Sequence, residues 1–556
     1  MDFIKGLPRP AAKDELVGID TEFFGMTRPH RADGTFAALT IAYPNGDAYL
    51  VTRQSDIAPA LKRVAGGTWV MQNALFDLRA LRRYTEIKQR YVHDTMLVEQ
   101  DLFGGWYGDF SLADLSRRWL SERMDKSVRE QFNGATELTD EMAQYAAQDA
   151  LTTVRVAQKQ IDYINENEDG QFSWYYEIDA PAIWAILDMP PVRVDVKAWR
   201  KNIATLQADA TRLEGELGFN AYSHVQVKKH IEQSLGHSIK NTNANDTLLP
   251  LLKRMPADSK VAGLVRAVLD VREARKAVET FGESWIEQHV EEGDLVYPSW
   301  RVTGAETGRM SCADPNLQQV PVRKMNIFRS FFVAPTGQSM LVADAQQQEV
   351  RLAAALSKDE RLIQELNDGV DLHQVTADMF SVDRDRGKAI NLGLNYGMSE
   401  YGLAEMMGIS EEEAEAGIKA RERRYKGLTA WQNMTVNKAQ KQLKVRSLSG
   451  RPIWINPYLQ YDGWKRNAIN GPVQASAADH TKRALVAMHQ MCETEDVPFG
   501  VCMAVHDEIV SNVPAGQMKL YKRIAKDAWR EAGEAMTSVV ELPIETASGR
   551  TWACKA

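Results

Sequence analysis

The first 160 positions alternate short apolar runs with amphipathic stretches. Leu16–Ile19, Ala38–Tyr43, Ala48–Val51 and Thr68–Met71 are apolar blocks of strand length, and each predicts a β-strand. Helical periodicity fills the intervals, and strands alternating with helices predict an α/β domain. From Gln160 to Phe172 the chain turns polar and acidic through Asn165-Glu-Asn-Glu-Asp-Gly170, which predicts a connector. Residues 196–285 read as helices with charged faces, and strand and loop signals return near Leu295. Residues 357–440 read as helices broken at Gly369, Gly387 and Gly408, and residues 444–460 as a hairpin. The end reads as helix 466–492, strand 499–505, a turn, strand 508–513 and helix 516–537.

Composition narrows the class. The chain has 556 residues, of which 44% are hydrophobic and 26% charged, as in ordinary globular proteins with several domains. It shows no long apolar run and no signal-like N-terminus, which argues against a membrane or secretory role. Its four cysteines, Cys312, Cys492, Cys502 and Cys554, form no Cys-x-x-Cys pair, so neither a zinc site nor a disulfide framework is implied and a reducing cytoplasm fits. The net charge of −8 means that any nucleic-acid binding must use local basic surfaces. Candidates are Lys228-Lys229-His230, Arg272 with Arg275-Lys276, Arg421 with Arg423-Arg424 and Lys426, and Lys438, Lys441, Lys444 and Arg446. For any one cluster, a solvated helix face is the favoured reading.

Two acidic clusters change the picture. Asp344 follows the apolar run Ser339-Met-Leu-Val-Ala, and Asp507 follows Val501-Cys-Met-Ala-Val-His506. More than 150 positions separate them, so only a fold can join them. Two such aspartates can hold a pair of divalent cations for in-line displacement at phosphorus. Between them Arg384, Lys388, Leu392 and Tyr396 recur every fourth residue, so on a helix they share one face. Two cations, an apolar residue and an aromatic ring suit a triphosphate, a sugar and a base.

A third group lies in the first domain. Asp20 and Glu22 sit two apart after Leu16-Val-Gly-Ile19, so on a strand they face the same side. Asp77 follows the strand Trp69-Val-Met71, and Tyr145 and Asp149 share a helix face by their four-residue spacing. Alone, each piece reads as a capping or solvated acid. Four carboxylates in one α/β domain can hold two cations, one activating water and both stabilising pentacovalent phosphorus.

These segments resemble motifs A, B and C of the family A DNA polymerases, the bacterial DNA polymerase I class. Motif A reads Asp-Tyr-Ser-Gln-Ile-Glu-Leu-Arg; Asp344, Gln347, Glu349 and Arg351 match, while Ala345, Gln346 and Gln348 depart. Arg384, Lys388 and Tyr396-Gly397 match motif B, and His506-Asp507-Glu508 matches motif C. The three pieces of the first domain resemble the motifs of 3′–5′ proofreading exonucleases. The resemblance implies a multidomain α/β protein: a ribonuclease H-like exonuclease domain (1–165), connector and palm start (166–195), thumb (196–290), palm (291–357), fingers (358–445) and palm again (446–556). It leaves no room for the family's 5′ nuclease domain.

The resemblance also implies roles. Asp344 and Asp507, with the Ala345 carbonyl, would bind two Mg²⁺ ions, with Mn²⁺ able to substitute, and Glu508 would support them. Lys388, Arg384 and His373 would meet the triphosphate. Glu349 would be the steric gate against a ribose 2′-hydroxyl, with Gln347 beside it in the same motif, and Tyr396 would stack where the template base enters. Leu392 replaces the usual Phe or Tyr against the sugar. Arg309, in Thr307-Gly-Arg309, would read minor-groove acceptors. Arg466, Asn470 and Gln474 would contact template and primer terminus, and His506 the primer terminus. Phe219-Asn220, Ser223, Arg272 and Lys276 fit duplex-gripping thumb segments. Asp20, Glu22, Asp77 and Asp149 would bind metal in the exonuclease, with Tyr145 orienting the water.

The expected partners are primer–template DNA and dNTPs, with no membrane; the sequence identifies no processivity partner. Glu349 and the full set of exonuclease carboxylates argue against a related-fold RNA polymerase, and Asp344, Asp507 and Lys388 argue against a non-catalytic accessory subunit. Small size and a fused exonuclease resemble bacteriophage replicative polymerases, which would place the chain in a bacterial cytoplasm.

Overall fold

A computed structural model describes residues 3–26, 33–89, 91–168, 172–321 and 326–555. The N-terminal part is built on a six-stranded mixed sheet ordered Ile4–Lys5, Ala48–Val51, Thr35–Ala42, Leu16–Phe24, Thr68–Met71, Val92–Asp94. The strand Leu16–Phe24 is central, antiparallel to Thr35–Ala42 and parallel to Thr68–Met71. Helix Asp140–Asn167, capped by the Thr139 side chain, crosses this sheet. Its approach depends on Gly18: a Cβ there would lie 2.5 Å from the Ala150 carbonyl oxygen and from Val154 Cγ2. Any larger residue would push the helix away, and Tyr145 and Asp149 with it.

The connector expected from Gln160 begins later. The helix runs on to Asn167 because Gln160 is fully buried, donating to the Thr95 carbonyl (3.0 Å) and Glu99 (2.9 Å) and lying 3.1 Å from His93. A polar letter had suggested exposure where the residue is an internal link. Asp169 and Gly170 of that stretch lie outside the described residues.

The polymerase-like part centres on an antiparallel sheet ordered Val501–Val505, Glu508–Pro514, Gln338–Ala345, Ile544–Gly549. Gln338–Ala345 is interior to the sheet, and its Met340–Ala343 run is buried, which is why it reads as an unbroken apolar block. Helix Tyr461–Thr494 packs beside Met518–Glu534. Helices Val196–Leu217, His224–Leu235 and Lys260–Phe281 form a separate arm with its own core of Val227, Ile231, Val265 and Val268.

Gly369 and Gly408 end helices with positive φ, as expected. Gly387 does not break its helix. It sits inside Arg384–Asn395, where a Cβ would meet the His373 carbonyl oxygen at 2.5 Å. Its role is close contact with helix Leu372–Phe380, not termination.

Several expected basic surfaces are committed internally. Arg272 donates to the Ala221 carbonyl (2.8 Å) and the Thr242 carbonyl (2.6 Å), so it ties loops of this arm together and is not free to grip a duplex. Arg275 pairs with Glu214, and Arg424 with Glu365, each at 2.5 Å. Arg421 is buried against Asn395, and Lys444 and Arg446 both face Glu168. Charge in a sequence does not reveal whether the group faces water or an uncapped carbonyl. Among the described residues, no helix is long and apolar enough to cross a membrane. The four cysteines are free thiols, three of them buried.

Candidate active site

The first cluster forms around the end of the central N-terminal strand. Asp20 and Glu22 pair with Thr40 and Ala38 across the sheet, and a register shift follows Glu22. Asp77 enters from helix Ala74–Leu81, whose preceding residue Asn73 adopts the left-handed conformation. Its carboxylate accepts hydrogen bonds from the Thr21 amide (2.9 Å) and the Thr21 hydroxyl (2.6 Å). Asp149 enters from the long helix. All four carboxyls are pushed up, first by burial. Glu22 rises to about 8, with Asp149 and Asp77 adding, and Asp77 to about 7 against its Thr21 hydrogen bonds. Asp20 rises well above its ordinary value, with Glu22, Asp77 and Asp149 adding.

Sequence reasoning missed Lys126 here. Its ammonium donates to Asp149 (3.0 Å) and to the Tyr145 hydroxyl (3.3 Å). Arg129, three residues on, also lowers the Glu22 and Asp149 carboxyls. Both lie in Arg123-Met-Asp-Lys-Ser-Val-Arg129, a stretch whose sequence carries no local signal.

The second cluster forms at the mouth of the four-stranded antiparallel sheet. Asp344 lies opposite Glu508 on one side and Glu545 on the other. The Ala345 amide donates to the Asp507 carbonyl (3.0 Å), which locks the hairpin turn against the Asp344 strand. His506 holds positive φ at that turn and is exposed. Burial, then the Asp344 charge, raises Asp507 to about 6. Glu508, directly across the sheet from Asp344, is buried against Arg329 (3.2 Å) and the Trp552 indole. Lys555 places its ammonium 2.6 Å from Asp344, a contact the sequence did not signal.

A cavity of about 250 Å³ opens beside Asp507, lined by Arg309, Gln347, Glu349, Leu392, Tyr396 and His506. Glu349 is gripped from two sides, by the Arg309 guanidinium and the Tyr396 hydroxyl. Asn470 donates to the Tyr396 carbonyl (3.1 Å), and Gly397 packs near Arg466. Gln474 is half-buried one turn beyond Asn470 on the same helix. Arg384 pairs with Asp371 (2.6 Å). Lys388 is half-buried and lowers His373, whose Nδ1 lies 3.2 Å from the Asn391 amide. Burial is the larger cause of that lowering, so His373 tends to neutrality. The motif A departure at Gln348 has a partner: its buried amide reaches His480 (3.0 Å) and donates to Thr481 (3.1 Å).

Matches to known families decide the class. Residues 194–554 match DNA polymerase family A, and residues 5–160 match the 3′-5′ exonuclease domain of such proteins. The chain belongs to DNA polymerase family A. It is 28% identical to DNA polymerase I of Pseudomonas aeruginosa over 519 residues, 87% of this chain and 56% of that one. It is 32% identical to DNA polymerase I of Caldicellulosiruptor bescii over 52% of this chain and 36% of that one. DNA polymerase I of Aquifex aeolicus is 27% identical over 89% of this chain and 90% of its own length. The chain thus spans about half or less of the first two relatives. A solved structure, the polymerase domain of Pol1 from M. smegmatis in complex with DNA primer-template and dNTP, shares the fold with a TM-score of 0.81 at 24% identity, covering 97% of this chain and 96% of that one.

Family membership implies divalent cations. Among the described residues, no three His, Cys, Asp or Glu side chains converge tightly enough to enclose an ion by themselves. The donor chemistry still fits hard cations, because every candidate ligand is an oxygen. Asp20 Oδ2 and Asp149 Oδ1 are buried without a hydrogen-bond partner, which leaves lone pairs for an ion.

Proposed function

We propose that this chain is a template-directed, DNA-dependent DNA polymerase that proofreads with its 3′–5′ exonuclease. The observation that carries this reading is the juxtaposition of Asp344 and Asp507 beside a cavity whose wall holds Glu349, Leu392 and Tyr396. Two divalent cations, Mg²⁺ by family, would supply Lewis acidity at phosphorus and make the attacking oxygen more acidic. Asp344, Asp507 and the Ala345 carbonyl would hold them at one site, and Asp20, Glu22, Asp77 and Asp149 at the other. Lys388, with Arg384 and His373, offers positive or hydrogen-bonding groups to a triphosphate. Arg309, Arg466, Asn470 and Gln474 face primer–template, and Tyr145 orients the attacking water. The domain division 1–165, 166–195, 196–290, 291–357, 358–445 and 446–556 is part of this reading. Work in a bacterial cytoplasm follows from it; the phage source rests on resemblance alone, and the relatives named above are bacterial.

Primer extension on matched and mismatched primers, with dNTPs or rNTPs and with Mg²⁺ or a chelator, tests the proposal. Extension with dNTPs and removal of a mismatched terminus, both abolished by chelator, are expected. Extension by rNTPs alone would make it an RNA polymerase, and no extension a non-catalytic subunit.

Glu349→Ala is expected to raise ribonucleotide use about tenfold to a hundredfold relative to dNTPs, because the carboxylate closes the space a 2′-hydroxyl needs. An unchanged rNTP-to-dNTP ratio would remove Glu349 from the gate.

Lys126→Ala is expected to slow single-strand digestion by about tenfold or more, leaving extension unchanged. It frees the Tyr145 hydroxyl that Lys126 now positions, and small displacements of a positioned group are costly. Digestion of a 3′-labelled strand at the wild-type rate would place Lys126 outside the chemistry.

A further inference from the structure

The exonuclease part and the polymerase part meet at one buried charge cluster. Arg451, just before the hairpin strand Pro452–Trp454, is 2% exposed. Its guanidinium pairs with Asp101 of helix Thr95–Phe103, with Asp179 at 2.7 Å, and with Asp479 of helix Tyr461–Thr494 at 2.8 Å. Lys482, buried on that same helix, also pairs with Asp179, and the Ser447 hydroxyl donates to Asp479 (2.9 Å). Three buried carboxylates thus share two buried cations. Breaking one member of such a set leaves an uncompensated charge away from water.

Arg451 touches a further element. A Cβ on Gly308 would lie 2.8 Å from Arg451 Nε and 3.0 Å from its Cδ, and Gly308 has a φ of +74°. The next residue is Arg309, which grips Glu349. The seam continues beyond the charges. The Trp454 indole donates to the Leu102 carbonyl (2.7 Å), and Phe103 and Trp106 lie against the same ring, with centroids 6.3 and 5.1 Å away. A Cβ on Gly105 would meet the Trp454 carbonyl at 3.1 Å and Glu306 at 3.5 Å. Exonuclease residues Asp101–Trp106 are therefore wedged between the hairpin and the turn that leads into Arg309.

We propose that Arg451 is a positioning residue of the nucleotide pocket: by fastening the exonuclease helix Thr95–Phe103 to the turn at Gly308, it sets where Arg309 holds Glu349. This rests on the polymerase reading above. An arginine is required because its planar fork reaches several carboxylates at once, whereas a lysine offers a single point charge. The exonuclease part then serves extension as scaffold as well as serving excision.

The test uses the full chain with Arg451→Lys and, separately, Trp454→Ala, which opens the same seam without touching Arg309. The measurements are kcat and KM for dNTP and rNTP on a matched primer, with single-strand digestion alongside. Each variant is expected to lower kcat for dNTP about tenfold and to reduce the dNTP-over-rNTP preference by about the same factor, with digestion unchanged. A role confined to stability would lower the melting temperature and leave the preference of the folded enzyme untouched. Wild-type preference in folded Arg451→Lys overturns the proposal. If that variant does not fold, wild-type preference in folded Trp454→Ala overturns it equally. Failure of the wild-type protein to extend any primer would instead defeat the polymerase reading itself.

Discussion

Asp344→Ala or Asp507→Ala is expected to lower primer extension roughly a thousandfold or more while single-strand digestion continues at the wild-type rate. Asp344 lies near the end of the strand Gln338–Ala345 and Asp507 in the turn between Val501–Val505 and Glu508–Pro514, locked together by the Ala345 to Asp507 backbone hydrogen bond. Among the described residues, no neighbouring carboxylate is free to stand in for either. Glu508 is already engaged by Arg329 and Trp552, and Glu349 is gripped by Arg309 and Tyr396. Cation-assisted stabilisation at phosphorus is worth several kcal/mol. At 1.36 kcal/mol per factor of ten, losing about 4 kcal/mol costs about a thousandfold. Digestion survives because its carboxylates cluster on a strand and two helices of the separate N-terminal part, in residues 5–160. Rates from a labelled primer–template and a labelled single strand, taken on each variant, check both halves. Loss of digestion together with extension in either variant would mean that the two clusters do not act as separate sites.

What the sequence made legible follows from burial. Gln338–Ala345 and Val501–Val505 are sheet strands with buried apolar runs, so they stand out as continuous apolar blocks ending at Asp344 and just before Asp507. The helix carrying Arg384, Lys388 and Leu392 stands out through its four-residue spacing, and Tyr396 forms its C-terminal cap. What stayed hidden are pairings made across long separations by residues with no local pattern. Lys126 meets Asp149, Lys555 meets Asp344, and Arg451 meets Asp101 from 350 positions away. Such contacts depend on which surfaces the fold presses together. Gly387 shows a related ambiguity, since a glycine can end a helix or let two helices touch, and only the neighbour at His373 decides between them. Gln160 and Arg272 are polar letters that the fold turned inward, where carbonyls and carboxylates satisfy them in place of water.

The double variant Asp20→Ala, Glu22→Ala is expected to stop digestion, again by roughly a thousandfold or more, and to leave extension of a matched primer unchanged. The two side chains stand on the central strand beside Asp77 and Asp149 from the flanking helices; besides burial, Glu22, Asp77 and Asp149 raise Asp20, and Asp149 and Asp77 raise Glu22. Removing two of the four leaves Asp77 on Thr21 and Asp149 on Lys126, which is too few oxygens to hold a pair of cations. The same electrostatics predicts a second, independent result. An acid whose folded pKa lies above its ordinary value makes the folded state take up protons, so stability is present at low pH and is lost as pH rises through the folded value. For Glu22 that window runs from 4.5 to about 8. In chelator, the wild-type protein should therefore lose thermal stability across that range. The double variant should lose less and melt a few degrees higher at the alkaline end. Melting curves at the two ends of the window, with excision of a mismatched terminus measured in parallel, check the assignment. Excision by the double variant at the wild-type rate would show that digestion is carried out elsewhere. A double variant that melts lower than wild type in chelator at high pH would show that the four carboxylates do not repel one another as the fold arranges them.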